Sequence, residues 1–293
     1  MADSAAVRRP PRRRGPTLVT CSARHMTHYR NQILNALPPD ELERLAPHLE
    51  HVRLVRRMVA YDPLQPISHL YFVEAGVISV VSIMRDRTAI ETATIGLEGV
   101  IGLPVHFGVD AVAEQAFVQV PGEAVRITAG AFRALAPELP ALRRLLDRYA
   151  VCWFTLAAQC SGCNRVHTME QRCARWLLMV HDRMPGDEFE LTQDFLSQML
   201  GVRRATVSET ASQLQQAGYI SYSRGRIVII DRAGLERVVC ECYGIIRSTF
   251  ARILEGRDEP NVLQTMSVSE HGKSTAGDGA GENDPASIAA PAN

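Results

Sequence analysis

The chain has 293 residues, 46% of them hydrophobic and 22% charged, with 32 basic and 32 acidic side chains and a formal net charge of zero. A uniformly basic nucleic-acid coat and an acidic, aromatic-poor disordered chain are both excluded, and the length suits about two domains. Seven cysteines at irregular spacing do not make a secreted disulfide scaffold, and no run of about 18 apolar residues marks a membrane span.

The neutral average hides a gradient. Residues 1–30 carry seven arginines against Asp3 alone, whereas 257–293 carry six acids against Arg257 and Lys273. Residues 1–26 read as a disordered basic tail, either a solvated leader or an arm adding non-specific DNA affinity. They lack the apolar stretch of a secretory signal, so the expected location is cytoplasmic. Residues 257–293 read as a second disordered tail.

Between the tails the hydrophobic period changes twice. Asp40 follows two prolines, and Leu42, Leu45 and Leu49 then recur at helical spacing, which predicts a short amphipathic helix. Over 55–130 the runs VISVVSIMR, TAIETATI, EQAFVQV and EAVRI are short, β-branched and punctuated by glycines. They predict an all-β barrel or sandwich. Helical spacing returns after Pro140. Leu142, Leu146, Tyr149, Trp153, Leu156, Cys160, Cys163 and His167 follow in alternating steps of four and three. The stripe spans roughly 39 Å, more than a small β-domain covers, which favours a parallel homodimer seam over a helix packed on its own domain.

Residues 191–230 carry the most specific pattern. Thr192 is the expected N-cap of a helix whose apolar face is Phe195, Leu196, Met199 and Leu200. Gly201 then marks a turn where a Cβ would crowd two steeply crossing helices. Val207 and Leu214 anchor the second helix, leaving Arg203, Arg204, Ala205, Thr206, Ser208 and Glu209 exposed at its start. A helix, a short glycine-containing turn and a helix form a helix-turn-helix, with the second helix's N-terminal end suited to a major groove. Two short strands around Arg224-Gly225 then offer Arg224 and Arg226 to phosphates. Asp231 is the expected cap of one last helix, with Leu235, Val238, Val239, Cys242, Ile245 and Ile246 on one face.

Over residues 30–256 these pieces resemble the Crp/Fnr family of bacterial transcription regulators. HLYFVEAGVISVV (69–81) is similar to a strand pair of the cyclic-nucleotide-binding β-roll, and GLEGVIGLPVHFG (96–108) to its phosphate cassette. The segment from Ala141 resembles the dimerisation helix, and 191–231 the winged helix-turn-helix. The resemblance implies an α+β fold with a double-stranded β-helix or jelly-roll sensor domain (27–136), a long dimerisation helix (137–168) and a winged helix-turn-helix domain (169–256). It implies a homodimer, duplex DNA and RNA polymerase as partners, and a small-molecule effector of unknown identity or a β-roll serving only as scaffold; the alternative is a small-molecule or protein-interaction module that no longer reads DNA.

Two departures matter. Cyclic-nucleotide binders of this fold have Gly-Glu-Leu and then Arg-Ser/Thr-Ala, the Glu accepting from the ribose and the Arg pairing with the phosphate. Here Gly102-Leu103-Pro104 and Glu114-Gln115-Ala116 stand at those places, and no arginine lies between Arg87 and Arg126. Losing a charged hydrogen bond costs about 1.5–3 kcal/mol before any repulsion, so cyclic AMP is not expected as the effector. The altered pocket would be marked by Gly102, Leu103, Glu114 and Gln115. The recognition helix reads Arg204-Ala205-Thr206-Val207-Ser208-Glu209 where the family pattern is Arg-Glu-Thr-Val-x-Arg. Arg204 is kept and suits a guanine; the rest changes the expected operator. Arg204, Thr206, Ser208 and Glu209 would face bases, and Thr192, Gln193, Arg203, Arg224 and Arg226 phosphates.

Cys160-x-x-Cys163 on the long helix reads as small apolar seam residues. Cys240-x-Cys242 would point to different sides of a helix or strand, poor for joint ligation. The iron–sulfur members of the family use N-terminal cysteines, and only Cys21 precedes Cys152. No metal or cofactor is therefore expected. His48, His51, His69 and His106 have no ligand motif, and no Walker, G-x-S-x-G, H-E-x-x-H or G-x-G-x-x-G pattern suggests an enzyme.

Overall fold

The computed structural model describes residues 28–86 and 88–254. The two expected tails and Cys21 lie outside the described residues. Strands β1 (Glu50–Leu54), β2 (Val59–Tyr61), β3 (His69–Ile83), β4 (Ala89–Ile95), β5 (Val100–Ile101) and β6 (Gln115–Thr128) form one antiparallel sheet in the order β1-β6-β3-β4. Strand β2 pairs with β6, and β5 with β3. The long β3 and β6 are the spine. Nearly every residue of β3 is buried, so the sheet is not flat with one wet face but rolled on itself. The register of β3 on β6 shifts three times between Val73 and Ile78, and such bulges bend and coil a ladder. A Cβ at Gly122 would lie 2.0 Å from the Ala75 carbonyl oxygen, so this bend requires glycine there.

Helices α1 (Gln32–Asn35) and α2 (Pro39–Leu45) precede the sheet, and α3 (Ala129–Leu135) follows it. Helix α4 (Pro140–Val166) runs 27 residues. Then come α5 (Met169–His181), β7 (Glu188–Glu190), α6 (Gln193–Leu200), α7 (Arg204–Gln216), β8 (Ile220–Ser223), β9 (Arg226–Ile229), α8 (Arg232–Val238) and α9 (Glu241–Ile253). The short sheet is ordered β7-β9-β8. Strand β7 was not expected; its three residues carry one apolar side chain, too little for a period.

The stripe expected as a dimer seam is covered by its own chain. Leu142, Leu146, Tyr149, Leu156, Cys160 and Cys163 are all buried, and α4 packs on α9 and β4. Helix α9 supplies the cover that a small β-domain alone is too short to give. A heptad period says that a helix has an apolar partner, not which one. A second face of α4 looks outward, with Val151 and Phe154 53% and 73% exposed.

Helix α5, capped by a Thr168–Gln171 capping box, docks the C-terminal unit on the sheet. The Trp176 indole donates to Glu91 Oε1 at 3.1 Å, and Ser79 and Thr94 hydroxyls donate to the same carboxyl at 2.7 and 2.8 Å. Burial pushes the Glu91 carboxyl up. Arg183 Nη2 meets Glu98 Oε1 at 2.7 Å, with Nε 3.0 and 3.1 Å from the two oxygens, and both side chains are buried. Helix α6 rests on β4, and the Phe117 and Phe195 rings meet edge to face at 5.8 Å.

Candidate nucleic-acid interface

Helix α6 starts because the Thr192 hydroxyl accepts the Phe195 N–H at 3.3 Å, satisfying one of the free donors of a first turn. Its apolar face, Phe195, Leu196, Met199 and Leu200, is buried. It ends at Gly201, whose φ is 63°. The expected crowding is absent: no atom lies within 4 Å of a Cβ built there. The glycine is needed for its left-handed backbone. Gly201→Ala is accordingly expected to destabilise by about 1–2 kcal/mol and Gly201→Asn by less, read from urea midpoints; equal losses would contradict a backbone cause.

Val207 and Leu214 hold α7 from within, both fully buried. At its start Arg203, Arg204, Ala205 and Glu209 are exposed, and Thr206 and Ser208 half-buried. Arg204 Nε lies 3.3 Å from Asp194 Oδ1, a solvent-exposed pair. The Ser208 hydroxyl donates to Gln193 Oε1 at 2.6 Å, tying α7 to α6. Between β8 and β9, Arg224 (φ 50°) and Gly225 (φ 77°) are both left-handed. That is the type I′ geometry whose twist suits a two-residue hairpin, and it projects Arg224 from the tip. Arg226 Nη1 is drawn back to Glu188 Oε1 at 2.7 Å.

Thr192, Gln193, Arg204 and Arg224 therefore line one cleft of about 360 Å³, together with Asp194, Tyr222 and Gly225. Arg203, Thr206, Ser208, Glu209 and Arg226 lie outside its lining. Sequence reasoning missed Asp194 and Tyr222. Asp194 was legible only as an acid in a first turn, and nothing flagged Tyr222. Burial pushes the Tyr222 hydroxyl up to about 12, so at neutral pH it stays a donor, to the Leu191 carbonyl at 3.0 Å.

A second cavity, of about 390 Å³, opens between the β-roll and α4. Gly102, Leu103 and Glu114 line it, with Ala150, Trp153 and Phe154 of α4 closing it. Gln115 does not line it; its amide donates instead to Asp62 Oδ1 at 2.7 Å. Glu114 is the one charged residue among the lining residues. Arg126 is engaged elsewhere, its Nε donating to Glu50 Oε2 at 2.9 Å.

The cysteines are arranged differently from the expectation. Cys163 meets Cys240 and Cys242 with His167, the four candidate ligand atoms all within 4.8 Å of one another. The last helix is not continuous. Val239 (ψ 150°) and Cys240 (ψ 162°) are extended between α8 and α9, and this break turns both thiols to one side. In a regular helix or strand Cys240 and Cys242 would point apart; here they gather with Cys163 and His167, and Cys160 stands outside the group.

Residues 171–238 match the Crp-like helix-turn-helix domain family. The chain carries a Crp-like helix-turn-helix domain. Among solved structures, FixK2 from Bradyrhizobium japonicum is similar at 18% identity, over 66% of this chain and 98% of that one, with a TM-score of 0.57. A CRP-family transcriptional regulator from Thermus thermophilus is similar at 20% identity, over 64% and 95%, with a TM-score of 0.54. The c-di-GMP-responsive regulator CLP from Xanthomonas campestris is similar at 17%, over 66% and 99%, with a TM-score of 0.52. A search of curated proteins found no match. The fold shared with these structures places the Crp-like helix-turn-helix domain behind a β-roll. No helix among the described residues is long and apolar enough to cross a membrane.

Proposed function

We propose that the chain is a homodimeric regulator that binds a specific duplex sequence through the Crp-like domain, without cyclic AMP as its effector. The observation that carries the reading is the cleft where Arg204 of α7 and Arg224 of the wing stand beside the capped start of α6. One arginine is placed for a base edge and the other for the flanking phosphate. Thr206, Ser208 and Glu209 join Arg204 on the base side. Thr192, Gln193, Arg203 and Arg226 join Arg224 on the backbone side. Residues 27–136 act as sensor, 137–168 as dimer helix and 169–256 as DNA reader, in the cytoplasm and with RNA polymerase as a further partner.

The dimer surface in this reading is the outward face of α4, where Val151 and Phe154 stand exposed. Phe154→Glu is expected to shift the sedimentation of the chain from dimer toward monomer; an unchanged profile places the interface elsewhere. The cavity beside α4 is apolar and its one charge is a carboxylate, which favours an uncharged or cationic ligand over a phosphate. Titration calorimetry with cyclic AMP is expected to give no binding heat.

Selection of bound duplexes from a random pool, with purified chain and no added ligand, tests the whole reading. An enriched two-fold-symmetric site with half-sites one helical turn apart is the expected result. Failure to enrich any sequence, both without ligand and in cell extract, would reject it. A β-roll that is only scaffold is the second reading, favoured if the selected site binds equally with and without extract.

A further inference from the structure

We propose that Cys163, His167, Cys240 and Cys242 form a closed mononuclear zinc site that fastens the end of α4 to the joint between α8 and α9. Cys163 and His167 stand one helical turn apart at the C-terminal end of α4, hence on one face. Cys240 caps α9 and Cys242 lies in its first turn. Two segments more than 70 residues apart in the chain thus bring four ligand atoms together (Cys163 to Cys240, a separation of 77).

The distances select a single ion. Cys163 Sγ lies 3.6 Å from Cys240 Sγ, and Cys242 Sγ lies 3.6 Å from His167 Nδ1. With Zn–S near 2.3 Å, a tetrahedral ion sets its ligand atoms about 3.8 Å apart. An iron–sulfur cluster interposes several metal and sulfide atoms and spreads its ligands further than the observed 4.8 Å limit. A disulfide needs about 2.05 Å between sulfurs, and the described cysteines are free. Three sulfurs and one imidazole form a donor set of structural zinc, with no position left for water or substrate.

The surroundings fit a metal–thiolate centre. His167 turns Nδ1 to the sulfurs and Nε2 to the Glu241 carboxylate at 3.2 Å, the outer contact that fixes a ligating histidine's tautomer. The three cysteines are at most 3% exposed. Three thiolates around a divalent ion leave one net negative charge. Arg175, 4% exposed, stands beside them. Its Nη1 points to Cys160 Sγ at 3.2 Å and Met179 Sδ at 3.4 Å, and its Nε has no acceptor. A buried guanidinium needs compensating anions, and the Glu91 carboxyl and the metal–thiolate centre both act on it in that sense. The positive end of α9 beside two thiolates acts in the same direction.

The test uses the full chain without a histidine tag. After gel filtration it is expected to retain one zinc per chain by elemental analysis. Loaded with cobalt(II), it should show thiolate-to-cobalt charge transfer and the strong visible bands of a tetrahedral ion. Cys242→Ser is expected to lose the zinc, and Cys160→Ser, one turn away on α4, to keep it. Should Cys242→Ser not fold, Glu241→Gln decides, since it removes no ligand. It is expected to weaken zinc about 10–100-fold in competition with a chelating dye, with the far-ultraviolet spectrum unchanged. A metal-free chain with a Cys163–Cys240 disulfide, an iron–sulfur chromophore, or a tetrahedral cobalt spectrum that survives Cys242→Ser overturns the proposal.

Discussion

Replacing Glu98 by alanine is expected to lower the unfolding free energy by about 3–5 kcal/mol, one of the two largest effects predicted for this chain. The reason lies in what is left behind. Arg183 is 7% exposed and its guanidinium makes three contacts with the Glu98 carboxylate. Its stem also fills the space over Gly96, where a Cβ would lie 2.3 Å from its Cδ. The packed stem therefore leaves the guanidinium little freedom to turn away once its partner is gone, and its relief is limited to the cavity of about 240 Å³ that the pair borders. The pair Glu98→Leu with Arg183→Met should recover most of the loss, because the isosteric apolar pair carries no desolvation penalty. Urea denaturation of the two single variants and the double variant measures this. A Glu98→Ala loss under about 1 kcal/mol would mean that Arg183 escapes to solvent as surface pairs do.

Arg204→Ala and Arg224→Ala are expected to weaken duplex binding in distinguishable ways. Loss of Arg204 should cost about 1–3 kcal/mol on the selected site and relax choice at one base pair. Loss of Arg224 should weaken all duplexes alike and reduce the salt slope by about one. Asp194 holds Arg204 at 3.3 Å and would compete with DNA for it in the proposed complex, so Asp194→Ala should tighten binding. Filter binding across a salt series separates these outcomes. If neither arginine variant changes any affinity, the cleft is not the DNA surface.

The winged unit was the most legible part of the chain. Its helix starts at Thr192 and Asp231, its Gly201 turn and its Arg224-Gly225 hairpin all depend on local chemistry, and the structure has each of them. The strands of the roll were legible as β, but their curl was not. The curl depends on register shifts between β3 and β6, residues more than 40 apart in the chain. The partner of α4 was misread for a similar reason: α9, which covers it, comes after the wing hairpin at the far end of the same domain. The four-ligand cluster was hidden by one break in the backbone at Val239–Cys240. No propensity marks that break, and without it the two thiols diverge. Gln115 stands outside the cavity because a family motif assigns a position along a strand but not the cavity its side chain lines.

The docking of the winged unit on the roll also bears on how such proteins can recombine. Trp176 of α5 donates to Glu91 of β4, and Phe195 of α6 meets Phe117 of β6. A chimera joined at the α4–α5 junction, with a foreign winged unit lacking a donor at the Trp176 position, would cost the buried Glu91 carboxyl one of its three donors and open an apolar gap. A fusion inside α4 would have to keep Glu98 and Arg183 together as well. Exchange of one unit without the other therefore costs stability at this border unless both sides change at once.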